Sequence, residues 1–144
     1  MILEEILSNF DLLGTVIGIA VALLIFYKYE KKAMERDIEE RFYSDISELY
    51  QLTREVIEKQ TTRSGRDFMD KMQNIIIKYN YEKLTKERFK EDFKNIIISS
   101  DIFNKPDVSE ETKQQYLQNT INSVAKILRN RIDKNTASAK NDTE

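Results

Sequence analysis

The chain has 144 residues, one-third of them charged, with a formal net charge of −2, three glycines, one proline, no cysteine and no histidine. Balanced charge argues against polyanion binding by bulk attraction. The missing residue types exclude a disulfide framework and a thiolate nucleophile, and remove the commonest general base, metal ligand and pH switch. The length is that of one domain, and the scarcity of breakers among many Lys, Glu, Ile and Leu residues predicts an all-α chain.

Residues 12–29 read LLGTVIGIAVALLIFYKY, with no charge from Leu12 to Tyr27. As a helix this covers about 24–27 Å at 1.5 Å per residue, close to the ~30 Å hydrocarbon core of a bilayer. A buried core helix is the rival, but the abrupt change to a highly charged chain favours a membrane span. A cleavable signal peptide would begin with basic residues and end at a small-residue site. This segment instead carries Glu4, Glu5 and Asp11 before the apolar run and Ile25-Phe26-Tyr27-Lys28 after it. The expectation is a retained anchor over residues 1–29. Lys28, Lys31, Lys32 and Arg36 follow directly, and by the positive-inside rule they place the N-terminus outside and the C-terminal part in the cytoplasm.

Residues 30–63 contain no glycine or proline and carry Met34, Ile38, Phe42, Ile46, Leu49, Leu52, Val56 and Ile57 at helical spacing. They predict a juxtamembrane amphipathic helix that stops at Ser64-Gly65. Asp45 interrupts the heptad seam, so two readings stand: a helix packed on its own domain, or an oligomeric coiled-coil stalk. Residues 66–132 predict a small cytoplasmic helical domain. A first helix runs to about Asn80 and a second opens at a Thr85 cap, with Leu84 and Phe89 at staple spacing. Ile75 to Ile77 and Ile96 to Ile98 imitate strands, but their flanking periodicity is helical. Ser99 to Asp107 predicts a loop, followed by a capping box at Asp107 and Glu110 or a cap at Ser109. The last helix shows Leu117, Ile121, Val124, Leu128 and Ile132. Residues 133–144, whose only apolar side chains are alanines, predict a disordered tail.

No catalytic constellation, phosphate-cradling loop or metal cluster is present in the sequence, and none is expected to do enzymatic work; no cofactor is implied. Asp37, Glu40 and Asp45 read as a solvated face. Lys83, Lys86, Arg88 and Lys90, interleaved with Tyr79, Tyr81, Phe89 and Phe93, form a candidate anionic-ligand patch for a nucleotide or nucleic-acid regulator. Against it, Glu82, Glu87, Glu91 and Asp92 dilute the charge and the phenylalanines fit a core stripe.

The anchor carries the most specific pattern. Gly14, Gly18 and Ala22 recur every fourth residue, the spacing that lets two membrane helices approach closely. Glu4, Ser8, Asp11, Thr15, Gly18 and Ala22 continue one small or polar stripe at steps of four and three. Glu4, Ser8, Asp11 and Thr15 are therefore candidate pore-lining residues, and a homo-oligomer in the bilayer is expected. In segment order, with Gly14 to Lys32 leading into an amphipathic helix, the chain resembles small membrane effectors of bacterial antiphage defence systems. That resemblance implies a helical cytosolic domain coupled to one or a few membrane helices, and it transfers no site residue. The expected function is a membrane effector, pore or channel forming, under control of the cytoplasmic domain. The alternative is a membrane-tethered scaffold that recruits a cytoplasmic protein.

Overall fold

The computed structural model describes residues 2–143. It is helical throughout, with no strand among the described residues: α1 (Ile2–Lys59), α2 (Thr62–Tyr79), a one-turn π-helix (Leu84–Arg88), α3 (Lys90–Asn104) and α4 (Glu110–Thr143). Two compact units divide the chain, residues 1–38 and residues 39–144.

The first unit is a helical segment whose described apolar side chains up to Met34 are exposed. α1 holds a single window long and apolar enough to cross a membrane, and none of that window is buried. Leu12, Leu13, Val16, Ile17, Leu23 and Leu24 are all more than half exposed.

The second unit is a small helical domain. Its core takes Phe42, Tyr43, Ile46 and Leu49 from α1, Phe68, Met72, Ile75 and Tyr79 from α2, Phe93 and Ile96 from α3, and Leu117, Val124 and Ile127 from α4. The α1 positions follow steps of three and four, so one face of the helix is inside. Residues 42–53 therefore belong to this domain, and the juxtamembrane helix and helical domain expected as separate segments form one unit. Burial of this face in its own domain favours the amphipathic reading over the coiled-coil stalk.

Several boundaries differ from the expectation for local chemical reasons. α1 stops at Lys59, not at Ser64-Gly65. Gln60 adopts a left-handed conformation (φ 48°), and its amide donates to the Val56 carbonyl at 3.1 Å, an end usually given to glycine. Thr61 then caps α2: Ser64 N donates to Thr61 Oγ1 at 3.1 Å and Thr61 N donates to Ser64 Oγ at 3.2 Å. This is a reciprocal capping box with serine in the third position, so Ser64 starts a helix rather than ending one. Thr85 does not cap α3. It is buried, and its hydroxyl donates backwards to the carbonyls of Tyr79 and Glu82, which fastens the turn after α2. The Phe89 amide reaches Leu84 O at 3.0 Å, closing the π-turn.

The expected loop at Ser99 is helix. α3 continues to Asn104 because Ser99 and Ser100 face the domain interior as small buried side chains. The connection to α4 starts at Lys105, and Ser109, not Asp107, caps α4 through a hydrogen bond from Thr112 N at 3.2 Å. In α4 the buried stripe is Leu117, Thr120, Ser123, Val124 and Ile127, while Ile132 is 64% exposed. α4 also runs through residues 133–143, expected to be disordered. That segment contains no glycine or proline to stop a helix. Glu144 lies outside the described residues.

Candidate functional site

Two sets of polar residues stand out, one in each unit. On α1 the residues Glu4, Ser8, Asp11, Thr15, Gly18 and Ala22 are all exposed and lie on one helical face by their spacing. Thr15 Oγ1 donates to the Asp11 carbonyl at 2.9 Å, the back-bond by which a helix satisfies a hydroxyl in apolar surroundings. A Cβ added at Gly14 or Gly18 would meet nothing within 4 Å. Neither glycine is thus required by packing inside this chain, although each costs about 1 kcal/mol relative to alanine in a helix interior. Lys28, Lys31, Lys32 and Arg36 are exposed on the same helix, after the apolar run.

The second set lies at the edge of the domain core. Asp45, on α1, accepts from three groups of α2: Lys71 Nζ at 2.9 Å, Lys78 Nζ at 3.3 Å and Tyr79 Oη at 2.5 Å. Lys71 also pairs with Glu48 at 2.6 Å. The side chains of Asp45 and Lys71 are only 16% and 17% exposed. Burial by itself would raise the Asp45 carboxyl, but hydrogen bonds from Tyr79, Lys71 and Lys78 outweigh it and hold the group below the ordinary carboxylate range. Burial and the Asp45 hydrogen bond both push the Tyr79 phenol up. Burial lowers Lys71, yet its bonds to Glu48 and Asp45 leave it raised overall. The cluster is an interhelical clamp that favours the Asp45 carboxylate, the Lys71 ammonium and the neutral Tyr79 phenol.

Sequence reasoning placed Asp45 on a solvated face, where the structure does not leave it. A signal was present: Asp45 lies within the apolar face marked by Phe42, Ile46 and Leu49, and Lys71 and Lys78 are seven residues apart on the facing helix.

The candidate anionic patch is only partly assembled. Arg88 Nη1 bonds Glu39 Oε1 at 2.6 Å and Arg88 Nη2 bonds Asn130 Oδ1 at 2.8 Å. It therefore ties the π-turn to α1 and α4. Lys86 lies over the Tyr81 ring at 5.4 Å, and Lys83 and Lys90 are exposed. Of the interleaved aromatics, Tyr79, Phe89 and Phe93 are core residues, and Tyr81 is exposed. The geometry offers exposed lysines and one exposed ring rather than a stacking platform. No group of three or more acidic side chains arranged to hold a metal occurs among the described residues. No family model, curated protein or solved structure matches the chain.

Proposed function

We propose that this protein is a non-enzymatic, homo-oligomeric single-pass membrane effector, in which α1 helices associate through Gly14, Gly18 and Ala22 and the domain at residues 39–144 controls them. The observation that carries the reading is the apolar window of α1, unburied on every side, with one small and polar stripe along it. Apolar area of this extent is covered by lipid or by another copy. Lys28, Lys31, Lys32 and Arg36 orient the domain to the cytoplasm and the N-terminus outside. The same helical face places Asp11 and Glu4 at the outer end of the assembly, where a ring of carboxylates concentrates cations. An ionised Asp costs about 2.5–3.5 kcal/mol at a bilayer centre, so Asp11 takes the interface or a wet lumen. Control comes from a cytoplasmic protein or a nucleotide or nucleic-acid regulator, in keeping with the resemblance to antiphage membrane effectors.

A scaffold role for the domain is the second reading. It is favoured by the core of residues 39–144, to which all four helices contribute buried apolar side chains. Oligomer size in detergent and cation conductance of reconstituted protein decide between them. The effector reading expects Gly18→Leu to break the oligomer and abolish conductance, and Asp11→Asn with Glu4→Gln to weaken cation preference. A wild-type chain that is monomeric and conducts nothing leaves the tether.

A further inference from the structure

The second unit contains a cleft of about 480 Å³ between the α1–α2 turn, α2, the end of α3 and the start of α4. This volume falls in the range of small-molecule sites, which pair an apolar lining with a few polar groups. Its apolar side holds Phe68, Met69, Phe103 and Leu117, with the Phe68 and Phe103 rings edge to face at 5.5 Å. Gln60, Gln114, Glu110 and Lys113 supply its polar side.

Two features of the lining bear on what the cleft can take. Gly65 closes the first turn of α2, with no left-handed φ, and a Cβ there would meet nothing within 4 Å. Glycine is the poorest helix former after proline, and here it is required neither by a turn nor by a close packing contact. What its missing side chain does is leave the cleft open. The second feature is Lys113. Its side chain is 34% exposed and it pairs with Glu110 at 3.6 Å, a carboxylate that is 86% exposed. Lys113 lines the cleft and its carboxylate partner stays largely in water, so an incoming anion can replace Glu110 at little loss.

We infer that this cleft binds a small planar aromatic molecule carrying one carboxylate, with the ring system against Phe68, Met69 and Phe103, the carboxylate on Lys113, and Gly65 as the residue that keeps the floor accessible. The site lies wholly within residues 39–144, and its occupancy does not depend on what the apolar part of α1 does.

The test uses the full chain in lipid nanodiscs, titrated calorimetrically with naphthalene-2-carboxylate and with the neutral naphthalene-2-carboxamide, empty nanodiscs serving as reference. The expected result is saturable binding of the carboxylate at one site per chain, about tenfold tighter than the carboxamide, the size of one charge-assisted contact. Lys113→Gln should equalise the two ligands. Gly65→Leu should abolish binding of both while the unfolding midpoint stays level or rises, since leucine is the better helix former. Unchanged binding in Gly65→Leu, equal binding of the two ligands to the wild type, or no binding of either overturns the inference.

Discussion

Within the domain, the α3–α4 seam and the seat of α1 are built on opposite plans. α3 and α4 share the most extensive backbone contact between described helices of the domain, and both bury small side chains: Ser99 and Ser100 in α3, Thr120 and Ser123 in α4. The Asn95 amide donates across the seam to Ser123 Oγ at 3.2 Å. α1 is held by large side chains instead. The Phe42 ring contacts Tyr79 at 5.1 Å, Phe89 at 5.6 Å and Phe93 at 6.4 Å. On either side of the rings, ion pairs from Asp45 and Glu39 reach α2 and the π-turn. Close packing of small residues forfeits little when one hydroxyl is lost and much when volume is added. A seat of rings and charges behaves the other way, since its stability sits in a few large groups.

The largest expected effect breaks the aromatic seat. Phe42→Ala should lower unfolding stability by about 3–5 kcal/mol, read by denaturant titration of helical circular dichroism. A loss below 1 kcal/mol would show that α1 is not held by its rings. The α3–α4 seam should respond to volume: Ser99→Leu should cost about 1–3 kcal/mol, whereas Ser99→Ala should be nearly neutral. Equal losses for the two variants would remove the distinction between the seams.

Charge in the α1 seat gives a pH signature. The Asp45 carboxyl is held low in the folded domain, so its contribution is full above the unfolded value of about 3.9 and is lost as pH falls through the lower folded value. Tyr79, raised in the fold, contributes below its unfolded value of about 10 and loses that contribution as pH rises. Asp45→Asn should cost about 1–2 kcal/mol near pH 7 and flatten the acid limb of a stability–pH curve. Tyr79→Phe should flatten the alkaline limb. Unaltered limbs in both variants would mean the clamp is not formed in solution. The smallest effect sharpens the comparison from outside both seams. Thr61→Ala removes the α2 capping box and should cost about 1 kcal/mol, with both pH limbs retained.

What sequence alone determined follows from short-range rules. The helical class, the apolar span at residues 12–27 with its small and polar stripe, and the inward face of α1 at Phe42, Ile46 and Leu49 all come from spacing and composition, which a helix expresses locally. The Ser109 cap was legible for the same reason. Tertiary structure decided where polar residues work. Asp45 reads as a surface acid until Lys71, Lys78 and Tyr79 of another helix surround it. Ser99 and Ser100 read as a loop until the folded domain buries them, because a buried serine and a turn serine look alike in one dimension. Arg88 reads as part of a basic patch until Glu39 and Asn130, 49 and 42 residues away in sequence, claim its guanidinium. Partners that far apart leave no periodic trace, since only the folded chain brings them within hydrogen-bonding distance.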